Sequence, residues 1–259
     1  MIHRFVSAVL KRWLPAFLVA ALAVSTAGLA SADSFFRHLR VDSLISDGIA
    51  LYHSGDYRRS LEKLDAALSL NADNVEARYD RGLDLYALSR YNEAAAEFRT
   101  CVRQQSDFIP ALFNLGVTEI ALNHLDAAKT IFLQIISEHP SSVRAHFDMG
   151  LSKILSGQPE QAAKEFAVAE LLHPQYVQAH YDRALAEYRT GNLVGADQET
   201  GEALRLNSSY AKAYFLRGAI RLRQGNSSGA KTQFESAAKL ATDPVLKSLC
   251  TQILAQIGA

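Results

Sequence analysis

Apolar and small residues recur along this chain at a fixed interval of about 34 residues. Frames of that length start at Val41, Val75, Ile109, Val143, Val177 and Ala211, and no insertion or deletion interrupts them before Pro244. Each frame divides near its middle into two segments with the apolar spacing of helices. The pattern therefore predicts six helix-turn-helix units over residues 41–244.

Three positions of the frame have a restricted composition. The eighth is Gly48, Gly82, Gly116, Gly150, Ala184 and Gly218; the twentieth is Ser60, Ala94, Ala128, Ala162, Ala196 and Ala230; the twenty-fourth is Leu64, Phe98, Phe132, Phe166, Thr200 and Phe234. Because only small side chains let two helix backbones cross closely, we expect the eighth position to face the twentieth, with the large residue beside them. Frame 5 departs at Ala184 and Thr200, and Thr200→Phe is expected to raise stability if the space exists.

Residues that favour a turn occupy position 15 of every frame. They are Gly55, Ser89, Asn123, Gly157, Gly191 and Gly225. Gly and Asn readily adopt the left-handed conformation that ends a helix. Pro140 and Pro174 follow the second segments of frames 3 and 4, where proline disfavours further helix. The first segment of each frame is thus predicted to end near position 15.

These columns resemble the tetratricopeptide repeat family over residues 41–244. Leu115-Gly116 with Ala128, Phe132 and Pro140 match its signature, and so do Met149-Gly150 with Ala162, Phe166, Ala169 and Pro174. The resemblance implies an all-α, right-handed superhelical solenoid of six repeats, at 41–74, 75–108, 109–142, 143–176, 177–210 and 211–244. It also implies a capping helix at 245–259, where Val245, Leu249, Ile253 and Ile257 form an apolar stripe.

Residues 1–32 have the composition of a secretory signal peptide. Arg4, Lys11 and Arg12 precede an apolar stretch that ends in Ala30-Ser31-Ala32. We expect cleavage between Ala32 and Asp33 and a periplasmic or secreted mature chain; the alternative is an N-terminal membrane anchor with the repeats facing the periplasm. Residues 33–40 are then a short lead-in helix or a tether.

The two cysteines are predicted to be buried thiols rather than a disulfide. Cys101 lies in frame 2 and Cys250 beyond frame 6. A repeat in a solenoid contacts only its neighbours, whereas a disulfide needs Cα atoms within about 7 Å.

Chemistry-bearing motifs are few. The segment His-Pro-x-x-Val-x-Ala-His-[Phe/Tyr]-Asp occurs at 139–148 and 173–182, one frame apart, so repeat duplication explains it better than a metal site. The sequence has neither a Gly-x-Ser-x-Gly elbow nor a phosphate-binding Gly-rich loop. We therefore expect a protein that is not an enzyme, with no metal, no cofactor and no small-molecule substrate.

A partner-binding groove is implied by the resemblance, because the first helices of this family line a concave face at positions 2, 5, 9, 12 and 13. The expected groove residues are aromatic or aliphatic: Ile45, Tyr52, Tyr79, Tyr86, Phe113, Phe147, Tyr181, Tyr188 and Phe215. Position 9 and part of position 5 are expected to pack between repeats. The partner is predicted to be an apolar extended or helical segment, since the family's carboxylate clamp is not recognisable.

Charge excludes one partner class and is uneven along the chain. Lys plus Arg equals Asp plus Glu, 27 each, which does not favour nucleic acid; without the three basic residues of the signal segment the counts are 24 and 27, net −3. Residues 33–142 hold 11 basic and 16 acidic side chains, net −5, and residues 143–259 hold 13 and 11, net +2. Lys212, Arg217, Arg221 and Arg223 form a basic cluster that either contacts a partner or is simply solvated.

The function expected from these features is a non-catalytic protein-interaction scaffold of the bacterial periplasm or envelope. Its partners would be proteins or peptide segments, and homo-oligomers are left open. An accessory subunit of an envelope secretion or polysaccharide-export assembly is the alternative. A metal-binding or enzymatic protein is the less favoured alternative.

Overall fold

The computed structural model describes residues 26–257, with side chains from residue 34, and every regular element in that range is an α-helix. The first seven are α1 (Thr26–His53), α2 (Tyr57–Leu70), α3 (Val75–Ala87), α4 (Tyr91–Gln104), α5 (Ile109–Ala121), α6 (Leu125–Glu138) and α7 (Val143–Leu155). The others are α8 (Pro159–Leu172), α9 (Val177–Thr190), α10 (Leu193–Leu206), α11 (Ala211–Arg223), α12 (Ser227–Leu240) and α13 (Pro244–Ile257). The all-α prediction is confirmed.

The six turns inside the frames form as the sequence predicts. Gly55, Ser89, Asn123, Gly157, Gly191 and Gly225 all have positive φ angles, between 60° and 87°. Ser89 and Asn123 adopt this conformation although they carry a Cβ, which is uncommon outside glycine. Each turn therefore ends the first helix of its frame and lets the second helix fold back.

Helix α1 is longer than the frame requires. It begins at Thr26 and runs to His53, so residues 33–40 are part of this helix rather than a tether. Most of the predicted signal segment, residues 1–25, lies outside the described residues. Within the described residues 26–257, no helix combines the length and the hydropathy needed to cross a membrane.

The contacts divide the chain into two compact units, Met1–Glu97 and Phe98–Ala259, with the division inside α4. In the N-terminal unit, α1 packs against both α2 and α3. Its core contains Val41, Ile45, Leu64, Ala67 and Ala77.

The C-terminal unit stacks four helix pairs. Helix α5 packs on α6, α7 on α8, α9 on α10 and α11 on α12, and each pair contacts the next. Phe132, Phe166 and Phe234, from position 24 of their frames, are among its most deeply buried side chains. Helix α13 packs on α12 and buries Cys250, whereas Val245 and Leu249 of the predicted apolar stripe stay exposed. Cys101 is also buried, as predicted.

The eighth position of the frame is small because a ring occupies the space beside it. A Cβ on Gly150 would lie 2.5 Å from the Phe166 ring, and one on Gly116 would lie 2.6 Å from Phe132. The twentieth position does approach the same turn of helix in frame 1, where the Ser60 hydroxyl donates to the Gly48 carbonyl at 2.8 Å. The constraint that the sequence analysis missed is the direct pairing of positions 8 and 24.

Candidate functional site

In each of the two units the candidate site is the first-helix face, formed by positions 5, 9 and 12 of the frames in that unit. Its members are Ile45, Ile49 and Tyr52; Tyr79, Leu83 and Tyr86; Phe113, Val117 and Ile120; Phe147, Leu151 and Ile154; Tyr181, Leu185 and Tyr188; and Phe215, Ala219 and Leu222. Most of these side chains are half-buried. The half-buried side chains pack on the core with one side and are exposed on the other.

Position 5 is the most buried of the three positions. Ile45 and Phe113 are only 4% and 8% exposed, so they offer little surface to a partner. The rings at the other predicted sites contact buried or neighbouring rings: Phe147 lies 5.5 Å from Phe166, Phe215 lies 5.4 Å from Phe234, and Tyr181 lies 5.1 Å from Tyr210, between ring centroids. Tyr79, the remaining predicted residue of this column, is half-buried.

Positions 9 and 12 form the accessible part of the face. Tyr52, Tyr86 and Tyr188 are half-buried; Tyr52 lies 5.3 Å from Tyr57 and Tyr86 lies 5.2 Å from Tyr91. Position 9 is half-buried in all six frames. Ile49, Val117, Leu151 and Leu185 pack against core clusters that include residues of the next frame, in line with the expectation that this position packs between repeats.

The predicted basic cluster is largely engaged within the fold. Arg217 and Arg221 both reach Asp197 of α10, at 3.0 and 3.1 Å. Arg223 donates to the Tyr188 carbonyl at 2.7 Å, and its guanidinium lies 4.8 Å from the centre of the Tyr188 ring. Lys212 and Arg223 are exposed, whereas Arg217 and Arg221 are half-buried. Most of this charge therefore fixes α11 against its neighbours.

Buried and half-buried carboxylates on the first helices are the feature that the sequence analysis missed. Asp80, Asp148 and Asp182 all occupy position 6 of their frames, and Asp84 lies one turn after Asp80. Desolvation is the largest cause that raises the pKa of each of the four to about 6. Aspartate at one column in three of six frames was the available signal.

The duplicated histidine motif builds links between helices. His180 on α9 lies 2.8 Å from Glu199 on α10 through Nδ1, and its Nε2 lies 3.0 Å from the Pro174 carbonyl. The hydrogen bond to Glu199 raises the pKa of His180 above its usual 6.5 and outweighs the opposing effect of burial. The stability contributed by its charge is present below about pH 6.5 and is lost as the pH rises through the folded pKa.

Glu170, His180 and Glu199 come close enough to one another to hold a metal ion. However, Arg183 donates to Glu170 at 2.6 Å and contacts Glu199 at 3.0 Å. A guanidinium thus already supplies the positive charge between these carboxylates. The arrangement fits an ion-pair network that joins α8, α9 and α10.

Comparisons place this architecture among known proteins. No curated protein sequence matches the chain. The solved structure of PilW, described as a widely conserved type IV pilus biogenesis factor, is similar with a TM-score of 0.72 and 19% identity, covering 81% of this chain and 97% of that one. PilF of Pseudomonas aeruginosa gives 0.69 and 17%, covering 85% and 99%. YrrB, described as having an unusual peptide-binding site, gives 0.56 and 20%, covering 66% and 88%.

Family models described as tetratricopeptide repeats match residues 47–107 and 147–198, and another of the same description matches residues 110–142. Together they cover more than half of the chain. The similar structures have the same helical-repeat fold. The chain belongs to the tetratricopeptide repeat family.

Proposed function

We propose that this chain is a non-catalytic scaffold that binds a segment of another protein along the first-helix face of a unit. The observation that carries the proposal is that position 9 is half-buried in every frame and that position 12 is half-buried or exposed. Apolar and aromatic side chains that are held by the core on one side and open on the other are typical of protein-binding surfaces. Tyrosines in such positions often dominate the binding energy.

Export is the second part of the proposal. It is supported by the basic residues, the apolar stretch and the Ala30-Ser31-Ala32 site near the N-terminus. N-terminal sequencing of the chain from the envelope fraction of its host should start at Asp33. Peptides that contain Phe5 in the mature pool would argue for a retained anchor.

Photo-crosslinking tests where the partner binds. A photo-reactive amino acid at Leu83 or Leu222 should crosslink a protein partner in intact cells, because both residues lie on the first-helix face. Leu133 on α6 is the matched control, since it is an apolar residue that is more exposed, at 60% against 36% for Leu222, but lies on a second helix. The readout is the mass-shifted adduct on a denaturing gel.

Three outcomes can be distinguished. Adducts at Leu83 and Leu222 that are absent at Leu133 support the first-helix face. Adducts of equal yield at Leu133 would show that exposure alone explains the crosslinks, and adducts at Leu133 only would move the binding surface to the second helices.

An accessory subunit of an envelope assembly is the second candidate. The observation that favours it is the fold similarity to PilW, which is described as a pilus biogenesis factor. In that case the crosslinked partner would be a component of a membrane complex and would copurify with it. A partner that is a soluble periplasmic protein would instead favour an independent scaffold.

A further inference from the structure

Two adjacent concavities lie between α1 and α3 in the N-terminal unit. One has a volume of about 130 Å³ and is lined by Ile49, Tyr52, His53, Ser60, Asp80 and Leu83. The other, of about 220 Å³, is lined by Asp42, Ile45, Ser46, Ile49 and Glu76. They share Ile49, and their lining combines apolar side chains with the carboxylates of Asp42, Glu76 and Asp80.

Two carboxylates of α3, of which Asp80 lines the smaller concavity, have oxygens without a hydrogen-bond partner. Asp84, beside Asp80 on α3, is 0% exposed, and neither of its carboxylate oxygens has a hydrogen-bond partner. One carboxylate oxygen of Asp80 is also buried without a partner. Buried carboxylates are normally paired with a cation or hydrogen-bonded, because burial removes their hydration. The described residues therefore supply no hydrogen-bond partner to these carboxylate oxygens.

The other two aspartates of this column each have a basic side chain that favours their ionised form, although their pKa values are also raised. Asp148, at position 6 of frame 4, contacts Arg144 one turn earlier at 3.5 Å. Asp182, at position 6 of frame 5, is stabilised by the charge of Lys212. At Asp80 the residue one turn earlier is Glu76, whose like charge opposes ionisation instead.

The arginines of α3 do not fill this role. Arg81 pairs with Asp65 at 2.8 Å and with Glu97 at 2.9 Å, and Arg78 pairs with Glu97 at 3.1 Å. The basic group that favours the ionised form of Asp80 is His53, and it does so only when it is protonated. At neutral pH the surface keeps an excess of negative charge beside an apolar floor.

We propose that the smaller concavity binds the charged end of a lysine or arginine side chain from the partner segment. The cation would lie between Asp80 and the Tyr52 ring, with Asp84 behind it. Apolar residues on either side of the basic residue would lie along Ile45, Ile49 and Leu83. This inference rests on the proposed scaffold function and names the chemistry of the partner.

Charge complementarity and the tyrosine both support this occupant. A cation beside Asp80 would neutralise the uncompensated pair and convert an unfavourable burial into an ion pair. The face of an aromatic ring attracts a cation within about 6 Å, and Tyr52 supplies such a ring in the wall of the concavity. A concavity of this size admits the end of one side chain, whereas a helix would need an open groove.

Capped tripeptides provide a direct test with the full chain. Acetyl-Leu-Lys-Leu-amide should bind and shift the NMR signals of the Ile49 and Leu83 methyl groups in a saturable way. Acetyl-Leu-norleucine-Leu-amide, which keeps the methylenes and removes the charge, should bind at least tenfold more weakly. The arginine peptide distinguishes an ammonium from a guanidinium.

Matched variants test whether Asp80 and Asp84 bind the cation. Asp80→Asn and Asp84→Asn should each weaken binding of the lysine peptide about tenfold or more. Asp148→Asn removes a buried carboxylate from the equivalent column of the C-terminal unit and should leave the affinity unchanged. The Asn side chains keep the size of the aspartates, and NMR spectra of the free variants verify that they fold.

Three results would overturn the proposal. Equal affinity for the lysine and norleucine peptides would make the surface a simple apolar site. Unchanged affinity in both Asp80→Asn and Asp84→Asn would show that the cation binds elsewhere. Signals of Ile49 and Leu83 that move with protein concentration alone would assign the surface to a second copy of the chain. None of these results would change a crosslink observed at Leu222. The cation-binding inference can therefore fail while the scaffold proposal holds.

Discussion

Thr200→Phe should lower the free energy of unfolding by about 1–3 kcal/mol, although the same column carries Phe in four other frames. The reason lies opposite, at position 8. Where position 24 is Phe132, Phe166 or Phe234, the facing residue is glycine, and an added Cβ would lie within 2.5–2.8 Å of the ring. Frame 5 has Ala184 at position 8, and its Cβ occupies the space that a ring at position 200 would need. This corrects the expectation that the substitution stabilises the chain.

The double variant Ala184→Gly/Thr200→Phe should recover the loss. It restores the Gly–Phe pair of the other frames, so the two substitutions should show a favourable coupling of about 1–3 kcal/mol in a double-mutant cycle. Chemical denaturation of the wild type, both single variants and the double variant measures this coupling.

Thr200→Val is the matched control for the lost hydroxyl. The Thr200 hydroxyl donates to the Ala196 carbonyl, and Thr200→Val removes that bond without adding a ring. If Thr200→Phe is as stable as the wild type, or if the two substitutions are additive, then Ala184 and residue 200 do not compete for the same space.

The turns show why so much of this fold could be predicted from the sequence. Each depends on local backbone conformation, and a glycine or asparagine at position 15 expresses that requirement directly in the sequence. Even Ser89 takes the left-handed conformation, with φ of 60°, because the helices on both sides of it fix the turn. A constraint that recurs in six frames is visible in one sequence.

The pairings between helices could not be predicted in the same way. Arg217 and Arg221 looked like a free basic cluster, yet both contact Asp197, 20 and 24 residues away. Which acid meets which base depends on the side-chain positions of two packed helices, and the period does not encode it. The uncompensated carboxylates of α3 were missed for the same reason, since Asp80 differs from Asp148 only in its neighbours.

Asp84→Asn should make the protein more stable at neutral pH, by about 2 kcal/mol at pH 7.5. Burial raises the pKa of Asp84 to about 6, and the like charge of Asp80 adds to the rise. The nearby Ser60 hydroxyl lowers the pKa of Asp84 and so offsets part of the rise. In the structure, however, the proton of this hydroxyl is donated to the Gly48 carbonyl. A pKa raised from 3.8 to about 6 corresponds to about 3 kcal/mol, and the unpaired Asn amide offsets part of the gain.

The sign of the pH dependence follows from the direction of the shift. Between the unfolded pKa of 3.8 and the folded pKa of about 6, the native state holds a proton that the unfolded chain has lost. Stability of the wild type therefore falls as the pH rises through this range and is level above it. Asp80, Asp148, Asp182 and His180 contribute in the same direction, so the wild type should be more stable at pH 5 than at pH 7.5.

Denaturation of Asp84→Asn and wild type at pH 4.5 and 7.5 isolates the contribution of Asp84. The stability difference between the two proteins should be small at pH 4.5 and should reach about 2 kcal/mol at pH 7.5. Asp126→Asn, whose side chain is 97% exposed, controls for the loss of one negative charge. A difference that is the same at both pH values would show that Asp84 is not desolvated as the structure indicates.

The same variant links stability to binding. A buried carboxylate without a partner lowers the stability of the free chain, and a cation from a bound segment would reverse that loss. Asp84→Asn should consequently be the more stable protein at pH 7.5 and the weaker binder of acetyl-Leu-Lys-Leu-amide. The lysine peptide should raise the unfolding temperature of the wild type more than that of Asp84→Asn, and more at pH 7.5 than at pH 4.5, where the carboxylates are protonated. If the peptide stabilises both proteins equally, burial of Asp84 lowers the stability of the free chain but Asp84 has no role in recognising the peptide.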